Sequence, residues 1–262
     1  MKVALRSIVF FLFWASVAQA EIVTERVLYK DGDTELEGIR AYDNALSGKR
    51  PGVLVIQEWW GINEYIERRA KEYAALGYVA FAPDMYGKGR RAKTPEEAKQ
   101  LSAPFYADRN LFRKRAQAGL SVLVKDPLVD YEKLAAVGYC FGGTAALELA
   151  RSGVDLDGTI VFHGGLSSPQ PQDAQNIKGS VLVMVGAEDP FIPTPEREAF
   201  KKEMDDAHVR YEYIEYPSAV HAFTNPAADT LHQPGIAYHK SADEDSFGRS
   251  KEFLAALFPK AG

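Results

Sequence analysis

The chain's one cysteine, Cys140, stands in Gly138-Tyr139-Cys140-Phe141-Gly142-Gly143, between an apolar run that ends at Tyr139 and an Ala- and Leu-rich run over 142–151. That places a thiol on the turn from a strand into a helix, where a nucleophile is exposed. The helix N-terminus lends partial positive charge that favours thiolate, the reactive form. Glycines two residues to either side leave room for a turn too tight for a Cβ. The same segment also fits a small buried hydrophobe beside a Gly-rich turn, because free cysteine is among the most buried residue types. Three further groups follow strands: Glu58 after 53–57, Asp189 after 181–186 and His221 after 210–216. In open α/β sheets, ligands bind at the carboxyl ends of strands. Thiol, carboxylate and imidazole in this chain order match nucleophile, orienting acid and general base in a triad hydrolase.

Each of these residues has a plainer reading. Asp189 before Pro190 fits a turn or a helix cap, with Glu188 as its neighbouring competitor. His221 fits a loop histidine bonded to backbone, and Glu58 a solvated strand-end carboxylate. His163 also ends a strand and reads as structural or pocket-lining. Trp59, Trp60, Tyr86, Tyr139 and Phe141 read either as core aromatics or, from their places beside the nucleophile and strand ends, as pocket lining. His208, His232 and His239 lack metal-ligand spacing, so no metal is expected.

The elements that would position these groups follow from periodicity. Residues 22–30 and 35–42 alternate apolar and polar side chains around Asp31-Gly32-Asp33, which predicts an antiparallel edge hairpin. Residues 52–57 form a continuous β-branched run, as in a strand covered on both faces. Further strands are expected over 78–82, 134–139, 159–162, 180–186 and 210–216. Helices are expected over 63–76, 93–101, 105–124, 142–151, 195–207 and about 241–258, the second opened by Thr94-Pro95-Glu96-Glu97. Strands alternating with helices predict an α/β chain whose mostly parallel sheet carries helices on both faces.

Gln57-Glu58-Trp59-Trp60-Gly61, Pro83-Asp84-Met85-Tyr86, the Cys140 turn, Gly186-Ala187-Glu188-Asp189 and His221-Ala222-Phe223, in that order, resemble the dienelactone hydrolase family of the α/β-hydrolase superfamily. The resemblance implies that Cys140 is the nucleophile, His221 the general base and Asp189 the residue that orients the imidazole. It also implies that Glu58 lies against the thiol at rest, and that the backbone N–H groups of Trp59 and Phe141 form an oxyanion hole. Family members that open dienelactones hold the substrate carboxylate with two arginines. Here those places read Lys88, with Arg90 nearby, and Asn225. Lys88 keeps a point charge without the bidentate fork, and Asn225 supplies none. The departures point to another ester, thioester or lactone, bound with Trp60, Tyr86, Lys88, Tyr139 and Asn225 at hand. Hydrolysis of this kind needs no cofactor.

Residues 1–20 read as a cleavable leader: Lys2 and Arg6 precede an apolar stretch over 8–17, and Ala18-Gln19-Ala20 supplies a small-x-small site. Export to a periplasm is the expected destination, with residues 21–262 as one domain. The leader carries two basic residues and no acidic one, so its loss takes the formal charge from −5 to −7. Nothing in that balance invites nucleic acid or an anionic membrane surface. A lone cysteine forms no internal disulfide, so packing must hold the fold. A monomer or small homo-oligomer acting on a small molecule is expected. Two readings stand beside the lactone hydrolase: a carboxylesterase or thioesterase without lactone preference, and a non-catalytic ligand-binding or redox-responsive thiol protein.

Overall fold

The computed structural model describes residues 21–259; the expected leader lies outside the described residues. Eight strands form one sheet: β1 (Ile22–Asp31), β2 (Thr34–Asp43), β3 (Arg50–Ile56), β4 (Val79–Ala82), β5 (Val129–Tyr139), β6 (Gly158–Phe162), β7 (Ser180–Gly186) and β8 (Tyr211–Tyr216). Their spatial order is β1-β2-β4-β3-β5-β6-β7-β8. The β1/β2 and β2/β4 pairs are antiparallel, and every other pair is parallel. The expected edge hairpin closes through Gly32, whose φ of +56° suits a residue without a Cβ.

Among the described residues, six α-helices cover the sheet: α1 (Glu64–Ala75), α2 (Pro95–Ala107), α3 (Arg109–Val124), α4 (Phe141–Arg151), α5 (Thr194–Asp206) and α6 (Lys240–Leu257). Strand β3 shows why the sheet needs both layers. Val53 and Val55 join one buried apolar cluster with Ile66, Tyr73 and Leu254, whereas Leu54 and Ile56 join another with Phe112, Leu120 and Ala145. A period of two therefore sends neighbours to opposite faces, one under α1 and α6 and the other under α3 and α4. No helix among the described residues is long and apolar enough to cross a membrane.

Two boundaries differ from expectation. Strand β5 begins at Val129, because Arg50 and Pro51 pair with Val129 and Asp130 before the register jumps to Gly52 with Leu134. The polar bulge between the two registers hides the first part of the strand. Helix α2 runs on through Pro104 to Ala107, and the break falls at Asp108, whose side chain accepts from Asn110 N–H and caps α3. A good N-cap there places the boundary after Phe105 instead of before it.

Candidate active site

Cys140 occupies the turn between β5 and α4 with φ +54° and ψ −116°, a conformation that L-residues adopt only when their surroundings enforce it. The enforcing contacts are backbone. A Cβ on Gly138 would come within 1.9 Å of Gly142 O, and one on Gly142 within 2.3 Å of Ile56 O. Cys140 N–H donates to Phe162 O at 2.9 Å, tying the turn to β6.

The turn aims the thiol at His221, with Sγ 3.1 Å from Nε2. On the other side of the ring, Nδ1 lies 2.8 Å from Asp189 Oδ2. A carboxylate only accepts, so Nδ1 carries the hydrogen and Nε2 faces the sulfur. Asp189 is buried, and its other oxygen accepts from Phe191 N–H at 2.8 Å. The imidazole is wedged between the rings of Phe191 and His163, at centroid distances of 5.2 and 5.3 Å. Burial pushes the His221 pKa down, but negative charge on Cys140 and the Asp189 hydrogen bond outweigh it and raise it to about 10. At neutral pH this environment favours the imidazolium form of His221.

The thiol contact expected of Glu58 is not the one formed. Glu58 is buried, and its Oε2 accepts from Asn225 Nδ2 at 2.6 Å. Asn225 Oδ1 accepts from Ala227 N–H, which turns the amide's NH2 toward the carboxylate. The sulfur's hydrogen bond goes to the imidazole, and the amide holds the carboxylate. Burial raises the Glu58 pKa to about 7, with the Asn225 bond pulling the other way.

Phe141 is the first residue of α4, so its N–H has no intrahelical acceptor. The Trp59 N–H likewise has no acceptor among the described residues. Tyr86 Oη donates to Trp59 O at 3.0 Å and fixes that loop from behind.

A cavity of about 1160 Å³ opens over the thiol, its wall joining Glu58, Trp59, Trp60, Cys140, His221 and Asn225. Three expected substrate contacts lie off that wall. Tyr139 is fully buried and stacks on Phe162 at 4.6 Å, because the last residue of a doubly covered strand turns into a layer. Tyr86 packs behind the site on Phe141. Lys88 is exposed, outside the cavity, as is its neighbour Arg90. Sequence reasoning missed Tyr106, Arg109, Thr144 and Phe191, which line the cavity. The Arg109 guanidinium lies 5.3 Å over the Tyr106 ring, and burial lowers its pKa. Only Thr144 carried a local signal, standing one helical turn after Cys140.

The model of the dienelactone hydrolase family matches residues 38–258. A Saccharolobus solfataricus protein provisionally named carboxymethylenebutenolidase is 31% identical, covering 88% of this chain and 98% of its own. The crystal structure of a dienelactone hydrolase-like promiscuous phosphotriesterase from metagenomic libraries is 37% identical, with TM-score 0.86 over 90% of this chain and 99% of that one. A dienelactone hydrolase from Anabaena variabilis, 19% identical, shares the fold, with TM-score 0.63 over 86% of this chain and 96% of that one.

Proposed function

The chain belongs to the dienelactone hydrolase family of α/β-hydrolases, which act on esters and lactones, and from that premise we propose that it cleaves its substrate through an acyl-Cys140 intermediate. One observation carries the reading: a single imidazole bridges the Cys140 sulfur at 3.1 Å and the Asp189 carboxylate at 2.8 Å. An isolated thiol, with a pKa of about 8.5, is only a few per cent ionised near neutrality, so the paired imidazole raises the share of reactive sulfur.

The sulfur attacks the carbonyl carbon, and the carbonyl electron pair moves onto oxygen, where the N–H groups of Trp59 and Phe141 receive it. Loss of one such donor in other hydrolases costs about 3–4 kcal/mol. The tetrahedral centre then collapses, and His221 gives its proton to the leaving oxygen. A water molecule, deprotonated by His221, attacks the thioester and returns Cys140 to its starting state. Asp189 keeps the Nδ1 hydrogen in place throughout. The cavity's size and aromatic walls favour a substrate bulkier than a five-membered lactone. We also infer that residues 1–20 direct export and are removed after Ala20; the N-terminal residue of the exported protein tests this.

Hydrolysis of a panel of lactones, aryl esters and thioesters beside Cys140→Ala tests the mechanism. A phosphotriester belongs in the same panel, given the name of the 37% identical relative. Turnover that vanishes in the variant is expected. A folded protein that turns over no member favours the ligand-binding or redox reading, and a variant with wild-type turnover removes the thiol from the reaction.

A further inference from the structure

We propose that a one-way hydrogen-bond chain from Arg69 through Tyr65 and Thr224 holds His163 as a neutral imidazole with its hydrogen on Nδ1, and that His163 thereby acts as a positioning residue for His221. The members are buried and drawn from three parts of the fold. Arg69 Nε donates to Tyr65 Oη at 3.3 Å, Tyr65 Oη lies 2.6 Å from Thr224 Oγ1, and Thr224 Oγ1 lies 2.7 Å from His163 Nε2. Arg69 and Tyr65 stand on α1, His163 follows β6, and Thr224 is three residues beyond His221.

The direction of the chain follows from counting hydrogens. A guanidinium only donates, so the Tyr65 oxygen accepts from Arg69. The Tyr65 hydrogen then has one acceptor among the described residues, the Thr224 hydroxyl. Thr224 has a single hydrogen, and His163 Nε2 is the acceptor left for it. A nitrogen that accepts carries no hydrogen, so the His163 ring is the Nδ1–H tautomer. Either polarity leaves His163 Nδ1 without a partner among the described residues, but the opposite one also strands the Tyr65 hydrogen in a buried site and is the more costly arrangement. Arg69 cannot turn round: Asp243 and Glu72 hold it by ion pairs, and its Nη2 donates to Thr224 O at 2.8 Å.

No neighbouring side chain stabilises a second proton on His163, and the pull of its own backbone carbonyl is the smallest of the influences on the ring. The titratable and charged groups facing it are His221 from the loop after β8, Tyr139 from β5, and Tyr65 and Arg69 from α1. None is a carboxylate, and burial together with the His221 and Arg69 charges holds the ring well below the ordinary imidazole range. The ring meets His221 edge-on, at 5.3 Å and 69°, and Phe223 at 5.2 Å and 77°. Its backbone is pinned as well, with φ +41° and the N–H bonded to Met184 O. The base therefore turns against a fixed, uncharged wall. The same Thr224 hydroxyl that sets the tautomer also anchors the loop carrying the base.

The test is nitrogen NMR of the histidine rings in the full chain between about pH 5 and 9, where an ordinary imidazole titrates, with kinetics on the best ester of the panel. The expected spectrum shows His163 neutral with Nδ1–H throughout. Thr224→Val should populate the Nε2–H form and lower kcat about tenfold, the scale of a small misplacement of a reacting group, with KM little changed. Thr224→Ser should restore both readouts. A wild-type His163 that carries Nε2–H, or takes up a proton near neutrality, overturns the proposal, and so does Thr224→Val with wild-type kcat. The wild-type spectrum decides even where Thr224→Val does not fold. The rate readout rests on the hydrolase reading and the spectrum does not: turnover that survives Cys140→Ala would remove the former and leave the tautomer standing.

Discussion

Asn225 Nδ2 donates to Glu58 Oε2 at 2.6 Å, joining the end of β3 to the loop that carries His221, across 167 positions of chain. The carboxylate is buried, so its charge is costly even with this bond. Its pKa rises from an ordinary 4.5 to about 7.

A raised carboxyl pKa adds stability that is fully present below the ordinary carboxylate range and is lost as pH rises through the folded value. Glu58 should thus make the chain less stable between about pH 4.5 and 7, by on the order of 3 kcal/mol. Glu58→Gln keeps an oxygen for Asn225 and removes the titration. Urea unfolding should find the variant close to wild type near pH 4 and more stable at pH 8. Equal stability at both pH values would mean that the carboxylate is not strained by burial.

Asp189→Asn should leave the fold intact, because an amide oxygen can still accept from Phe191 N–H. The amide NH2 would face the imidazole, however, and push its hydrogen to Nε2, toward the sulfur. The expected loss in kcat is about ten-thousandfold, as for tautomer reversal in triad hydrolases generally. Steady-state hydrolysis and the rate of Cys140 alkylation should fall together. A fast alkylation rate beside slow turnover would give Asp189 a role after acylation instead.

The sheet, its edge hairpin and the Cys140 turn were legible because each is written locally: alternation in β1, a doubly apolar run in β3, glycines beside the cysteine. Strand-end placement also located Asp189 and His221. Partners set by tertiary packing were not legible. The amide holding Glu58 comes from a loop far along the chain. Tyr139 looks like an active-site aromatic in sequence, yet the phase of β5 turns it into the layer against Phe162. Arg109 and Phe191 reach the cavity from a helix start and a loop, where no periodicity marks them.

Two glycines give opposite predictions. A Cβ on Gly142 would lie 2.3 Å from Ile56 O and 2.5 Å from Gln57 O, both backbone atoms that cannot yield. Gly142→Ala should therefore cost more than about 3 kcal/mol, beyond the usual range for overpacking. Gly248, inside α6, has nothing within 4 Å of a new Cβ. Gly248→Ala should stabilise by about 0.5–1 kcal/mol through helix propensity. Thermal or urea unfolding of the pair checks both signs, and a tolerated Gly142→Ala would show that the turn is looser than its contacts imply.

Helix α4 starts beside Cys140 and ends at Arg151, which is fully buried. Arg151 bonds Glu203 of α5 at 2.8 and 2.9 Å, Glu148 at 3.2 Å and Leu166 O at 2.8 Å. Glu148 also accepts from Arg113 of α3 at 2.9 Å. The cluster fixes the far end of the helix that follows Cys140 to its two neighbours. Arg151→Met leaves two buried carboxylates short of a cation, and removing one partner of such a pair costs about 3–5 kcal/mol. Adding Glu203→Met should return part of that loss, because Glu148 keeps Arg113 while the other stranded charge is gone. A double-mutant cycle in urea measures this coupling. Additive losses would mean that Arg151 and Glu203 are each held by other groups; a less unstable double variant would show that the arginine's work in the core is chiefly to neutralise its acids.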